Sequence, residues 1–162
     1  MKQITLLFLI ISQSIIYAQE NFSVQYNLLS WQKSFITDIS EEELNKTLAI
    51  HPLLSKINTK DSAEFEPIIK TCETRSTAIF MRQPFYGFSS ITKTELGYKV
   101  TVSKIKFQQN ERLRVGILET SDRDIGLEEY LLRKKDGTIR QNKQAKRDLE
   151  CLDQTLTNLF SF

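Results

Sequence analysis

The clearest alternation of apolar and polar residues lies in the middle of the chain, where every second residue from Tyr98 to Val102 is apolar. This period is typical of a β-strand with one buried face. A Ser/Thr-rich run precedes the turn-forming segment Glu95-Leu96-Gly97, so we expect an antiparallel hairpin here. The next apolar residues are Ile105 and Phe107. The spacing from Val102 to Ile105 is three residues instead of two, and it predicts a β-bulge or a change of the covered face.

A second alternating segment contains Phe22 and Val24, and its phase reverses at Leu28-Leu29. We interpret it as a strand centred on Leu28–Ile36, with a bulge where the phase changes. Trp31 lies within this strand and has two interpretations. It is either a stacking platform for a ligand on an exposed sheet face or a buried core aromatic, and burial is the more common fate of tryptophan.

Two helices have recognisable starts. Ser40 and Glu43 form a capping box, and this explains the acidic run Glu41–Glu43 without a cation or an acid–base site. His51, the only histidine, follows on a largely apolar helix face beside a proline, so we interpret it as structural. The closing helix is predicted over residues 142–160 from one apolar stripe. The stripe consists of Ala145, Leu149, Leu152, Leu156 and Leu159.

Weaker patterns complete the predicted architecture. We expect a strand over Ala63–Glu73, at an edge or bulge because of Pro67, a short β-type run over residues 77–81, and a strand through Leu113, Val115 and Ile117. Residues 127–132 fit either a short helix or a strand. The predicted fold class is therefore α+β. It is a curved antiparallel sheet of about four to six strands, with one helix from the N-terminal half and a long C-terminal helix packed on one face, in the order β-α-β-β-β-α.

The most aromatic stretch of the chain runs from residue 80 to residue 88 and includes Phe85, Tyr86 and Phe88. As a belt on the sheet surface, these three side chains and Trp31 would form a candidate surface for a ligand or partner. If these side chains are instead buried in the core under the sheet, they need no binding role, because β-strands favour aromatic residues in any case.

Cys72 and Cys151 are the only cysteines. An even number suggests a disulfide if the chain folds in an oxidising compartment. The helical period argues against it, because Cys151 falls about 120° from the centre of the apolar stripe, where we expect solvent. The absence of a CxxC motif disfavours a metal site.

The first residues have the features of a targeting segment. Lys2 is followed by an apolar stretch that is too short for a comfortable membrane span of about 20 residues, and Ala18 is suited to precede a cleavage site. We therefore expect a signal peptide over residues 1–18, a single domain over residues 19–162, and a periplasmic or secreted protein with no later transmembrane segment. An uncleaved N-terminal anchor is the alternative.

Charge and motifs exclude several classes of function. The net charge is only +2, which gives no support for a nucleic-acid partner. Motifs for nucleophilic, metal-dependent, nucleotide-binding or dinucleotide-binding sites do not occur, so we predict no catalytic residues, no metal and no cofactor. The one local charge asymmetry is the basic segment Arg133–Arg147. It either faces anionic lipid headgroups or an acidic partner, or it is a solvated surface balanced by Glu119–Asp124 and Glu128-Glu129.

Several short segments together resemble a family of bacterial envelope domains of unknown function with a TATA-box-binding-protein-like fold. They are Trp31-Gln32-Lys33, Ser40-Glu41-Glu42-Glu43, Tyr98-Lys99-Val100-Thr101-Val102, Leu127-Glu128-Glu129-Tyr130, Lys135-Asp136-Gly137 and Leu159-Phe160. The resemblance covers most of the chain after the targeting segment, and it implies an antiparallel sheet with helices on one face and no catalytic residues. The cysteine pair and Pro84 depart from the family pattern.

The sequence supports two functional hypotheses. The first is an exported, non-enzymatic domain that binds a protein or an envelope component through the open face of its sheet. The second is a carrier for a small apolar ligand, with a pocket between the sheet and the Leu44–Ile57 segment lined by Trp31 and the aromatics at residues 85–88. An enzyme is a third, weakly supported class. The sequence identifies neither the partner nor the oligomeric state.

Overall fold

The computed structural model describes residues 21–70, 72, 79–108 and 123–162. The fold is α+β, as predicted, and it is built on an antiparallel sheet that is not closed. In chain order its elements are β1 (Phe22–Gln25), β2 (Leu28–Ile36), α1 (Glu41–Ile50), β3 (Ala63–Glu64), a 3₁₀ turn (Ile79–Arg82), β4 (Phe85–Thr94), β5 (Gly97–Phe107), β6 (Ile125–Gly126), α2 (Leu127–Leu131) and α3 (Lys143–Phe160).

The sheet is organised around β5, the longest strand. The strand order is β1-β2-β5-β4-β3, and β6 also pairs with β5. The predicted hairpin is confirmed, since β4 and β5 pair antiparallel from Phe85↔Phe107 to Thr94↔Gly97. Gly97 has a φ of +152°, and a Cβ there would meet the backbone of Phe35 and Thr37. The turn therefore needs glycine at this position.

The predicted irregularity in β5 is a β-bulge. Lys104 and Ile105 stand opposite the single residue Gly87, because the pairing moves from Phe88↔Ser103 to Tyr86↔Lys106. Lys104 has a φ of +51°, as expected for a residue that absorbs the extra length of a bulged strand. The bulge explains why the apolar positions of β5 change phase after Val102.

The prediction of a bulge at Leu28-Leu29 is wrong. The chain reverses instead at Tyr26 and Asn27, whose φ values are +52° and +61°, and β1 pairs with β2 in the register Phe22↔Trp31 and Val24↔Leu29. A two-residue turn with both central residues at positive φ has the twist that a hairpin requires. The reversal in phase thus marks a turn between two strands and not a bulge in one.

The described residues between α1 and β4 contain less strand than predicted. Of those within the strand expected over Ala63–Glu73, only Ala63–Glu64 forms a ladder, followed by a single bridge between Ile68 and Phe85. Proline at position 67 cannot donate to a ladder, which limits the pairing. The β-type run expected at residues 77–81 is wrong where it is described, since Ile79–Arg82 is a 3₁₀ turn. The strand expected through residues 113–117 lies outside the described residues.

The two predicted helices form, and residues 127–131, for which either a helix or a strand was expected, form the short helix α2. The Ser40 side chain accepts from the backbone N–H of Glu43, whose carboxylate accepts in return from Ser40, so the capping box is confirmed. The Asn142 side chain caps α3 by accepting from the backbone N–H of Ala145 at 2.8 Å. At the other end of α3, the Tyr98 hydroxyl donates to the carbonyl of Phe160 at 2.6 Å. The whole apolar stripe of α3 is buried.

The solvent-exposed position predicted for Cys151 is wrong, because only 4 % of its surface is accessible. Asp148 and Thr155 are buried on the same side of the helix, so α3 is covered over a wider arc than its apolar stripe. Cys72 forms a disulfide with Cys151 across a Cα–Cα distance of 5.8 Å. A residue far away in sequence therefore contacts a helix face that reads as polar.

Candidate functional site

The structure places Trp31 in the core. The side chain has no accessible surface, its ring stacks on Phe160 at a centroid distance of 6.2 Å, and its Nε1 donates to Oδ1 of Asp153 at 2.7 Å. Burial of an indole with a hydrogen-bonded N–H is the usual structural solution. Of the two interpretations of Trp31, the core interpretation is the one that the contacts support.

The aromatics at residues 85–88 do not form one surface. Phe85 is fully buried against Phe65 and Phe107, whereas Tyr86 and Phe88 lie on the opposite, open face because side chains alternate along β4. The hydroxyl of Tyr86 donates to Asp124 at 2.6 Å, and this hydrogen bond, with burial, raises the pKa of Tyr86 to about 12.

Phe88 is the one member of this set with a large exposed fraction, 40 %. Its ring is partly covered by the ammonium group of Lys104, which lies 5.2 Å from the ring centroid. This arrangement leaves Phe88 as the one largely exposed ring of the set, and that ring is already paired with a cation. It does not amount to an aromatic belt.

His51 has a structural role, as expected. It is the C-cap of α1, its Nδ1 accepts from the backbone N–H of Leu53 at 3.3 Å, and its ring meets Phe162 edge-on. Within the part of the chain that the structure describes, no group of three or more His, Cys, Asp or Glu side chains is placed to hold a metal ion.

A buried group of polar side chains lies next to the disulfide. Asp148 is fully buried, and its Oδ2 accepts from the Tyr130 hydroxyl at 3.1 Å and from the Gln144 amide at 3.0 Å. Its Oδ1 has no hydrogen-bond partner among the described residues. The ammonium group of Lys70, a residue only 8 % exposed, also has none among them and lies 5.8 Å from the centroid of Phe107.

Burial disfavours the charged form of Lys70. It lowers the pKa of Lys70 to about 8, against the opposing attraction of Asp148 and with a further contribution from Arg82. The same environment raises the pKa of Tyr130 to about 12, first through burial and then through the negative charge of Asp148. Sequence reasoning missed this group, since Lys70 and Asp148 occur in no motif and come together only in the folded chain.

Burial of Lys70 should make the stability of the protein depend on pH. Between its folded pKa of about 8 and its ordinary value of 10.5, the unfolded chain binds more protons than the folded one, so the free energy of unfolding should rise with pH. We expect a rise of roughly 3 kcal/mol from pH 8 towards pH 10.5, followed by a fall because Tyr86 and Tyr130, whose pKa values are raised in the folded protein, resist ionisation. Urea denaturation at several pH values measures it.

The matched variants are Lys70→Met, which keeps the length of the side chain and removes the charge, and Lys60→Met at an exposed position. Lys70→Met should abolish the rise, and Lys60→Met should retain it. An equal rise in both variants would contradict the assignment to Lys70.

The basic segment forms a tight hairpin, residues 132–140, which we call the basic hairpin. Leu132 pairs with Ile139 in an antiparallel bridge, and the backbone N–H of Arg133 donates to the carbonyl of Thr138 at 2.9 Å. Gly137, part of the predicted Asp136-Gly137 turn, has a φ of +66°, and a Cβ there would collide with the side chain of Asn27. The basic hairpin therefore packs against the turn between β1 and β2.

Beside the basic hairpin lies an open cavity of about 490 Å³ at the N-terminus of α3. Four of the six residues that line it are cationic. The lining consists of Arg133, Lys134, Lys135, Arg140, Gln141 and Asn142. The sequence drew attention to this basic run, but the cavity and the helix end next to it are features of the fold.

The carboxylates nearby in sequence are engaged by other groups. Glu128 accepts from the backbone N–H of Leu29, and Glu129 pairs with Arg123. Asp136, within the hairpin, accepts from the hydroxyl and the backbone N–H of Thr138, and these bonds lower its pKa, with a smaller effect of the neighbouring cations. None of the four cations of the cavity forms an ion pair with a carboxylate of the described residues.

The helix end at the cavity is electrostatically unusual for this protein. The first turns of α1 and α2 carry acidic residues, whereas α3 has none in its first turn and begins with Lys143. Because the N-terminus of a helix carries a partial positive charge, cations here repel it. The arrangement concentrates positive potential that an anion would neutralise.

Comparison with other proteins gives this chain no relative, since no protein-family model, no curated protein and no solved structure matches it. The resemblance to the domains with a TATA-box-binding-protein-like fold therefore stays a prediction. Among the described residues, no helix has the length and apolar character that crossing a membrane requires.

Proposed function

We propose that this protein is an exported, non-enzymatic binding domain that holds an anionic, phosphate-bearing component of the cell envelope at the cavity beside the basic hairpin. The observation that supports the proposal is the concentration of Arg133, Lys134, Lys135 and Arg140 around one cavity at a helix N-terminus. Phosphate groups fit such a site because guanidinium and ammonium groups donate several charge-assisted hydrogen bonds to them.

The low net charge of +2 does not oppose this proposal. At physiological ionic strength, charges more than about 8–10 Å apart are largely screened from each other, so a ligand responds to the local potential and not to the sum over the chain. Of the nearby acids, Glu129 pairs with Arg123, and the charges of Glu128 and Asp136 offset only part of the four cationic charges around the cavity, so a local excess of positive charge remains.

The alternative function, a carrier for a small apolar ligand, lacks support from the residues that were expected to line its pocket. Trp31 and Phe85 have no accessible surface, and both belong to the main hydrophobic core. An anion-binding surface therefore agrees better with the arrangement of the side chains than an apolar cavity does.

The proposal is tested by titrating the purified protein with polyphosphate in low salt (about 0.05 M) and in about 0.5 M salt. We expect binding that weakens with salt. In the variant with Lys134→Gln and Lys135→Gln it should weaken about tenfold or more, because two charges facing the ligand are removed. The control variant with Lys60→Gln and Lys106→Gln removes the same charge from exposed positions elsewhere and should bind within about twofold of the wild type. Absence of binding at low salt, or equal losses in both variants, would overturn the proposal.

A further inference from the structure

Tyr26 is exposed in a way that the fold does not require. It lies in the turn between β1 and β2 with 96 % of its surface accessible, so it contributes nothing to the core. Its φ of +52° belongs to a region that Gly, Asn and Asp adopt readily and a bulky residue does not. An aromatic residue therefore stands at a position where folding alone favours a small polar one.

The fold brings Tyr26 next to the basic hairpin. Its neighbour Asn27 packs against Gly137 so closely that a Cβ at Gly137 would collide with it, and Leu28, on the other side of Asn27, is 37 % exposed. One end of the molecule thus presents an exposed tyrosine and a partly exposed leucine beside the four cations of the cavity.

We infer that this end of the molecule docks on the surface of an anionic phospholipid bilayer, with the cations at the headgroup phosphates and Tyr26 in the interfacial region. This inference rests on the proposed function, because it names the source of the phosphate groups. A soluble polyanion would need only the charges. A bilayer also offers an interface for an amphipathic aromatic ring, which has an apolar body and a polar hydroxyl.

The energetics favour a surface that combines both kinds of contact. A cluster of basic side chains gains free energy near an anionic leaflet, but that attraction falls off within a Debye length and is weakened by salt. Stable attachment usually takes two signals, an electrostatic one and an apolar one. The basic hairpin supplies the first, and the turn that carries Tyr26 supplies the second.

The test compares the wild type and a Tyr26→Asn variant on vesicles of phosphatidylcholine with and without phosphatidylglycerol, and on polyphosphate. Asn suits the positive φ of this turn, so the variant should be at least as stable as the wild type. Of the two kinds of vesicle, only those that contain phosphatidylglycerol should bind the wild type. In Tyr26→Asn, binding to these vesicles should weaken about tenfold, with unchanged affinity for polyphosphate.

A second variant, Tyr26→Trp, measures insertion directly. Trp31 is the only native tryptophan and is buried, so any blue shift on addition of anionic vesicles comes from residue 26. We expect a blue shift and binding at least as tight as that of the wild type, because tryptophan favours the membrane interface.

The outcomes separate the two proposals. Binding to polyphosphate without binding to anionic vesicles would overturn the bilayer inference and leave a soluble anionic polymer as the ligand. Vesicle binding that does not respond to Tyr26→Asn, with no blue shift in Tyr26→Trp, would also overturn the inference. If neither polyphosphate nor vesicles bind, the proposed function itself fails.

Discussion

Replacing both cysteines by alanine should lower the free energy of unfolding by about 2–5 kcal/mol. The disulfide joins Cys72 to Cys151 across a sequence separation of 79 residues, and a cross-link that closes so long a loop removes much of the conformational entropy of the unfolded chain. Denaturant unfolding of the wild type and the Cys72→Ala/Cys151→Ala variant measures this difference.

A reductant provides the matched control for the disulfide. The wild type unfolded in the presence of a reductant should approach the stability of the double variant, and the double variant itself should not respond to the reductant. A loss of stability below about 1 kcal/mol would mean that the disulfide adds little to the free energy of unfolding.

The disulfide should also influence the pH dependence that Lys70 causes. Lys70 lies two residues before Cys72, and its buried ammonium group has no hydrogen-bond partner in the part of the chain that the structure describes. Without the disulfide, Cys72 is no longer tied to α3. The side chain of Lys70 can then reach water, and the pKa of Lys70 should return towards its ordinary value. The double variant should therefore show a smaller rise in stability above pH 8 than the wild type does. Equal rises would indicate that other contacts hold Lys70 in place.

The sequence predicted those elements whose pattern is local. The β4–β5 hairpin, the bulge in β5, the capping box at Ser40 and the apolar stripe of α3 each follow from residues close together in the chain. In these segments, local propensity and tertiary packing favour the same structure. The turn at Tyr26 and Asn27 was missed because it lacks the glycine that usually marks a two-residue hairpin turn.

The remaining errors come from contacts between distant segments. Cys151 was expected at a solvent-facing position of an amphipathic helix, and it is buried and joined to the distant Cys72 by the disulfide. A helical period identifies the most apolar face of a helix but cannot show that a second segment covers another one.

The candidate site was predictable only in part. The run of cations from Arg133 to Arg140 is visible in the sequence, and so is the turn at Asp136-Gly137. The position of Tyr26 beside the basic hairpin is not, because it depends on the packing of Asn27 against Gly137 in the folded chain. Aromatic density suggested residues 85–88 as a surface, and the sheet distributes those side chains over both of its faces.

The second large effect is expected from Leu152→Ala. Leu152 lies in the middle of the buried stripe of α3 and has no accessible surface. Its truncation removes apolar contacts and leaves a cavity, so the free energy of unfolding should fall by about 2–5 kcal/mol. Unfolding can be followed through the fluorescence of Trp31, the single tryptophan, whose indole N–H donates to the adjacent Asp153.

The matched control is Glu150→Ala, an exposed position on the same helix where alanine keeps or improves the helix propensity. It should change the free energy of unfolding by no more than about 0.5 kcal/mol. The contrast tests whether docking of α3 on the sheet stabilises the whole domain, because helix propensity alone would make the leucine substitution nearly neutral. If Leu152→Ala costs less than about 1 kcal/mol, α3 is peripheral, and the basic hairpin that leads into it would not be held firmly against the sheet.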